Sequence, residues 1–503
     1  MSWLDDLTGR VTMYRLVLLG LLAILAEALI VSAFGKIAYA PLPILANAAT
    51  AVVATAVSNR LIALVFRVRP HTESSIVTGL ILAFLFTPTL TGAGLGAVAL
   101  AGVIASASKY LLAVRRRHVF NPAALAAVVI SIALPSAFPG WWVGSPWILP
   151  IVVVAAFVVL FRTRHLTVGI VFAIVATLTV AIASIAYGSS TSIALSNALE
   201  STPVIFFAGF MLSEPLTLPP RRWQQLAEAV LVGLLFGIPF HFGPVYGTYE
   251  LALVIANLLA FAAGQRRGIR LAYVGRTQLT PTSWELSFRP AKPVSFGAGQ
   301  YMELSLPHAR ADVRGQRRTF SVVSPPAEPD IVKFGLKVAE PSSSFKSALL
   351  ALAPGDTVAG TSVGGDFLLP RDTSAPLLLF AGGIGITPFV SQLAHLRATG
   401  DDRDVVLVYS VSSPDETAYV DTLAGGRTRV LLMAPTAPTA PLPAGWDYIG
   451  PGPVTRSTVD RAVADAASRH AFVSGPPRLV REVRRILRHA GVRSVTTDAF
   501  SGY

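Results

Sequence analysis

The stretch "APLLLFAGGIGITPFV", positions 375–390, holds residues whose types and spacing could do chemistry. Gly382, Gly383, Gly385 and Thr387 follow an apolar, strand-like run and precede a helix-like one. Glycines let a backbone approach a pyrophosphate, and the first amides of a following helix offer it partial positive charge. Close strand–helix packing also selects glycine, so the loop gains weight only from its surroundings. Other chemistries are thinner. The chain has no cysteine, which excludes disulfides, cysteine-ligated iron–sulfur clusters and thiol nucleophiles. His71, His118 and His165 stand beside arginines between apolar runs, and His241 stands alone. No two of them are set to hold one haem iron from both sides.

A dinucleotide loop needs a strand before it and a helix after it. From about Gly268 the chain alternates short stretches, "LAYVGRTQLT", "SWELSFRP", "YMELSLP", "TFSVVS" and "VKFGLKVA", with turn residues between them. The pattern predicts an antiparallel β-barrel over 268–368, running to about Phe367. Over 369–503, the glycine loop, "DVVLVYSVS" and "HAFVSGPPRLVREVRRILRHAG" read as the strand–helix alternation of a small parallel α/β domain.

In order along this region stand "GQYMEL", "RRTFSVVS", "GGDF", "GGIGITP" and "VSGPP". The set closely resembles the ferredoxin–NADP reductase superfamily over essentially all of 268–503. The resemblance implies FAD on the barrel domain and a nicotinamide dinucleotide on the α/β domain. It assigns the Arg318-Thr319-Phe320-Ser321 motif to the flavin: Arg318 to a phosphate, Phe320 along the isoalloxazine or ribityl portion, and Ser321 near N5, which receives hydride. Ser343 and Ser344 in "SSSFKSAL" correspond to pyrophosphate contacts. Gly382, Gly383, Gly385 and Thr387 form the dinucleotide loop, and Ser474, Gly475 and Pro476 flank the nicotinamide. Ser321 and Ser474 are thereby the candidate catalytic hydroxyls, Ser474 standing where many relatives carry cysteine. "VYSVSS" lacks the arginine that NADP-preferring relatives place after this strand, which favours NADH and leaves NADPH as the alternative. Phe500 or Tyr503 in the ending "TDAFSGY" could cover the flavin face.

Upstream the texture differs. The chain is 53% hydrophobic and 14% charged, too apolar for one soluble domain, and the excess lies in Ala, Leu, Val and Ile runs before about position 265. These runs predict a polytopic α-helical membrane domain over 1–265, with about ten spans centred near 24, 54, 82, 101, 128, 153, 177, 207, 233 and 256. Positive charges follow every second span: Arg60, Arg67 and Arg69; Lys109, Arg115, Arg116 and Arg117; Arg162 and Arg164; Arg221 and Arg222; Arg266, Arg267 and Arg270. The opposite loops hold almost none beyond Lys36. That alternation places both termini in the cytoplasm of a bacterial cell, where NAD(P)H is found. The net charge of +13 is dispersed along these flanks, which suits lipid headgroups rather than nucleic acid. "MSWLDDLTGR" is acidic and amphipathic, and no signal-peptidase-like site follows, so the first run is expected to be a retained helix.

"TGLILAFLFTPTLTG" and "FAGFMLSEPLTLPP" read as interrupted helices five spans apart, the mark of an inverted repeat. Together with "KYLLAVRRRHVFNPAALAAVV" and "YGTYELALVIANLLA", they resemble a family of flavin-carrying membrane proteins over roughly 40–264. Its members are found in the sodium-translocating NADH:quinone reductase and in the Rnf electron-transport complex. The resemblance implies flavin within the membrane and electron passage through it. The Ser-Gly-Ala-Thr motif that esterifies FMN in that family is missing, so a membrane flavin (FMN or riboflavin) should be non-covalent. Polar groups costly to bury make Ser75, Thr78, Asn121, Ser213, Glu214 and Asn257 its candidate ligands. Glu27 is the clearest ionisable residue inside a span, and Glu250 lies near an end. The combined expectation is an NAD(P)H-dependent flavin oxidoreductase of the cell membrane, feeding quinone, an extracytoplasmic flavoprotein or a small oxidant. The alternative is a membrane-anchored or transporter-linked reductase with no cofactor in its first half.

Overall fold

The computed structural model describes residues 13–500, apart from 68–69, 71, 115–116, 138, 164, 220, 244, 266–268, 309–311, 313–315, 339, 341 and 425–426. The chain divides into two compact units, Met1–Arg266 and Arg267–Tyr503, at the place where apolar runs give way to alternating ones.

Among the described residues of the first unit, a helical segment stands near each position where hydropathy predicts a span. These are α1 (Met13–Ala33), α2 (Pro41–Val65), α3 (Thr72–Leu85), α4 (Gly92–Leu111), α5 (Pro122–Ala133), α6 (Leu149–Thr163) and α7 (Leu166–Ala186). The interrupted α8 (Thr191–Leu212), α9 (Arg222–Gly237) and α10 (Tyr249–Ala260) follow. Five of them, α1, α2, α4, α7 and α8, are long and apolar enough to cross a membrane. The apolar α3, α5, α6 and α10 are shorter.

Both stretches read as interrupted are so. α3 stops ahead of Pro88, and its last carbonyls find side-chain donors: Asn47 Nδ2 bonds the oxygens of Ala83 and Phe86 (both 3.0 Å), and Trp142 Nε1 bonds Ala83 (2.7 Å). Side chains from a neighbouring helix and from the turn before α6 thus satisfy the backbone groups that a proline break leaves open. α8 carries π-helical turns at Asn197–Ser201 and Ala208–Leu212 and ends just before Ser213. Helix pairing repeats at an offset of five. α2 packs on α4 as α7 packs on α9, and α4 on α5 as α9 on α10. Glycines mark equivalent contacts: a Cβ on Gly102 would lie 3.2 Å from the Thr55 nitrogen, and one on Gly233 3.1 Å from the Ala176 nitrogen.

The second unit holds two sheets. The first contains β1 (Ile269–Gln278), β2 (Ser283–Pro290), β3 (Tyr301–Ser305), β4 (Arg317–Ser321), β5 (Val332–Lys337) and β6 (Thr357–Gly364). It is antiparallel, in the order β4-β3-β6-β1-β2-β5, and its outer strands meet at a single bridge, Val322–Phe334. Leu271, Phe288, Met302, Phe334 and Val358 fill its core, and α11 (Ser344–Leu350) covers it with Phe345 and Leu349.

The second sheet is wholly parallel: β7 (Leu377–Gly382), β8 (Val405–Ser410), β9 (Arg429–Met433), β10 (Trp446–Tyr448), β11 (His470–Gly475) and β12 (Val495–Ala499), in the order β10-β9-β8-β7-β11-β12. β7 and β8 are almost wholly buried, as strands covered on both faces must be. Helices α12 (Thr387–Thr399) and α13 (Pro477–His489) follow β7 and β11.

Candidate functional site

The strand order of the parallel sheet reverses between β7 and β11. In open α/β sheets the crevice at the carboxyl ends of the strands flanking such a reversal is where ligands bind. The carboxyl end of β7 carries Gly382, Gly383, Gly385 and Thr387; that of β11 carries Ser474, Gly475 and Pro476. The two loops touch through their backbones. A Cβ on Gly385 would lie 2.6 Å from both Gly475 Cα and Ser474 O, and Gly475 (φ 151°) returns the contact at Gly382 Cα, 3.1 Å from its own would-be Cβ. Gly383 differs: it adopts φ 53° with open space around it, so it serves turn geometry rather than packing. Thr387 opens α12, with its hydroxyl donating to Ile384 O at 3.0 Å. Ser474 is fully buried, and its hydroxyl finds no partner among the described residues.

On the antiparallel sheet, Arg318 is buried at 3% exposure, Thr319 faces outward and Phe320 is half-buried. Phe320 stacks on Phe345 (6.1 Å between centroids, 22° between planes), and the Arg318 guanidinium lies over the same Phe345 ring at 5.3 Å. Arg318 donates to Arg317 O (2.7 Å) and to Asp312 Oδ1 (3.2 Å), while Asp312 Oδ2 accepts from the Ser344 amide (3.2 Å). Ser344 Oγ is held by His308 Nε2 and by the Asp312 amide, both at 2.9 Å, and Ser343 caps α11. Arg318, Ser343 and Ser344 are therefore brought together as the sequence implies. Asp312 and His308 complete the cluster and were not foreseen, since neither lies in a recognisable motif. Ser321 ends β4, is 4% exposed, and has a hydroxyl with no partner among the described residues. Leaving a buried hydroxyl unbonded costs about 1–3 kcal/mol, so Ser321 and Ser474 both suit a ligand's polar edge. The amide of Phe500 donates to Gly475 O (2.9 Å). Tyr503 lies outside the described residues.

Between the two sheets, Glu416 Oε2 accepts from Thr282 Oγ1 (2.5 Å) and Thr280 Oγ1 (3.2 Å) and pairs with Lys337 Nζ (3.5 Å). Burial works to raise this carboxyl, but those hydrogen bonds and the lysine outweigh it and hold it below the ordinary carboxylate range.

In the first unit, three of the six expected ligands, Asn121, Glu214 and Asn257, join one hydrogen-bonded network. Asn121 caps α5 by accepting from the amides of Ala123 and Ala124 (both 3.1 Å). Its Nδ2 donates to Glu214 Oε2 (2.9 Å), and its amide donates to Asn257 Oδ1 (2.8 Å). Asn257 in turn donates to Glu228 Oε1 at 3.3 Å. Thr78 accepts from Lys109 Nζ at 2.8 Å, and Lys109 lies within electrostatic reach of Glu214. Ser75 instead accepts from Asn59 (2.9 Å), and Ser213 donates to Gly209 O of its own helix (2.7 Å).

Two expectations are corrected here. Lys109 is no loop charge: it sits in the last turn of α4 and turns inward to Ser74 and Thr78. Glu27 is only half-buried, whereas Glu228 (6% exposed) and Glu250 (1%) are the enclosed acids. Glu250 is held by Trp141 Nε1 at 2.6 Å. Glu228 had a signal, an acid within "QQLAEAVLVG", that polar neighbours obscured.

The second unit therefore pairs an antiparallel sheet with a parallel one whose switch point carries the glycine loop. Residues 379–485 match the family model of the oxidoreductase NAD-binding domain. The chain is similar to the reductase component of propane 2-monooxygenase from Rhodococcus jostii, 29% identical over 213 residues, 41% of this chain and 56% of that one. It is likewise similar to the toluate 1,2-dioxygenase electron transfer component of Pseudomonas putida, 26% identical over 239 residues, 46% of this chain and 66% of that one. It thus spans less than two thirds of the length of either relative. Among solved structures, an Amycolatopsis cytochrome P450 reductase is similar at 23% identity and TM-score 0.41, covering 46% of this chain and 70% of that one. A ferredoxin NADP+ reductase from Neisseria gonorrhoeae with bound FAD and NADP is similar at 18% identity and TM-score 0.38, covering 46% and 98%. The family match supports an oxidoreductase NAD-binding domain within the second unit.

Proposed function

We propose that this chain is a membrane-bound NAD(P)H oxidoreductase that carries electrons from cytoplasmic NADH through FAD into a flavin-binding membrane half. From there they pass to quinone or an extracytoplasmic acceptor. The observation that carries the reading is the pair of buried hydroxyls without a partner among the described residues, Ser321 and Ser474, one on each sheet of the second unit. In this reading residues 268–368 hold FAD and 369–503 hold the dinucleotide. FAD supplies a centre that accepts two electrons together and releases them singly. The chain's residues do the placing. Arg318, with Ser343 and Ser344, holds phosphate; Phe320 backs the flavin; Ser321 offers its hydroxyl near N5. Gly382, Gly383, Gly385 and Thr387 admit the pyrophosphate, while Ser474, Gly475 and Pro476 bound the nicotinamide.

For the first unit, the repeat of helix pairs supports an inverted duplication, and the Asn121-centred network supports a non-covalent flavin between α3, α5 and α8. Arginine alternation supports cytoplasmic termini in a bacterial plasma membrane. A second reading, a membrane anchor serving a protein acceptor, is favoured by relatives that are reductase and electron transfer components of oxygenases.

The first test is anaerobic mixing of the full chain, in lipid nanodiscs, with nicotinamide nucleotide. NADH should bleach the flavin absorbance faster than NADPH at equal low concentration. Faster bleaching by NADPH would reverse the cofactor preference, and none with either would overturn the reductase reading.

A further inference from the structure

We propose that Glu416 is a positioning residue, which latches the nicotinamide side of the second unit onto its flavin side and so sets the hydride-transfer distance. The inference rests on the reductase reading above. Glu416 follows β8 in the turn Pro414–Glu416 and belongs to the dinucleotide side. Its partners belong to the other sheet: Thr280 and Thr282 at the β1–β2 turn, and Lys337 at the end of β5. Three donors from two places on that sheet converge on a single carboxylate oxygen.

The turn also reaches the dinucleotide loop. Three residues after Glu416, Tyr419 is buried in the left-handed region (φ 63°), which a bulky residue adopts only when its surroundings force it. The preceding amide, Ala418, donates to the Tyr409 hydroxyl on β8 at 3.2 Å. A Cβ on Gly335 of β5 would stand 2.6 Å from both the Tyr419 hydroxyl and the Thr387 methyl. The same short turn is therefore latched by Glu416 and pressed onto β5 where Thr387 of the loop meets it. Two other ties cross the seam, Ser391 Oγ to Ser324 O (2.9 Å) and Gln392 Nε2 to Phe367 O (2.7 Å); both sit on α12 and both are neutral. Among the described residues, the Glu416–Lys337 contact is the ion pair across this seam.

Glu416 touches neither the glycine loop nor Ser474–Pro476, so its loss should alter geometry and leave dinucleotide affinity in place. A misplacement of about 1 Å can slow a transfer step on the order of a hundredfold. In stopped-flow mixing of the full chain with saturating NADH, Glu416→Ala should slow flavin reduction by about ten- to a hundredfold. The half-saturating NADH concentration should hold within about twofold. The isotope effect from NADH deuterated at the transferred position should rise. Glu416→Gln keeps an acceptor for Thr282 and should recover most of the rate. Independently of activity, hydrogen exchange should quicken at 279–283 and 414–419 in the alanine variant and much less in the glutamine variant. An unchanged rate, a loss confined to NADH half-saturation, or unchanged exchange would overturn the latch. A wild-type flavin that neither NADH nor NADPH reduces would instead overturn the reductase reading, and the exchange measurement would still judge the latch.

Discussion

The two units spend their buried polar groups in opposite ways. In the second, Ser321 and Ser474 end buried strands with hydroxyls that no described residue satisfies, and the glycines around them clear a path for backbone approach. In the first, Asn121, Asn257 and Glu214 bond one another, Thr78 bonds Lys109, and one oxygen of Glu228 is left over. Buried hydroxyls that no described residue bonds suit a ligand's polar edge. A closed polar network is equally the hydrogen bonding that holds helices together, at about 0.6 kcal/mol per contact on average.

The sharpest break concerns the first unit's setting. Ser136 and Ser457 are both exposed, and the chain offers no other thiol. If arginine alternation orients the helices, an impermeant reagent should label Ser136→Cys in intact cells and spare Ser457→Cys. The opposite pattern would invert the topology and remove cytoplasmic NADH from reach.

Next in size is the flavin phosphate contact. Charge-assisted hydrogen bonds contribute about 1.5–3 kcal/mol, so Arg318→Ala should weaken FAD binding roughly tenfold to more than a hundredfold. Equilibrium dialysis of the full chain against FAD reads this directly, and unchanged affinity would dissociate Arg318 from flavin.

The smallest effect probes the network. Asn121→Ala removes the cap of α5, worth about 0.5–2 kcal/mol, and strips partners from Glu214 and Asn257. Melting of the first unit should shift down by a few degrees, with FAD on the second unit retained. Loss of FAD as well would mean the units are not independent.

Much of this was legible from sequence, unevenly and for physical reasons. Hydropathy located the helices because a bilayer's thickness imposes one length scale. The dinucleotide loop was legible because its residues are contiguous and their glycines answer local backbone needs. The membrane network was not, because its members come from separate helices and depend on which face each presents. Lys109 sits beside an arginine cluster and read as one more loop charge; Ser75 and Thr78, three residues apart, go to different partners. Asp312 and Glu416 lie in polar stretches of sequence whose composition signals only a loop, so their contacts emerge only from the packed sheets.

The most direct test of the central claim is the number of flavins per chain. Protein extracted gently, supplemented with flavin, purified and then denatured should release two flavins per chain, both free of covalent attachment. One flavin per chain would contradict the account and leave the first unit as an anchor for the reductase.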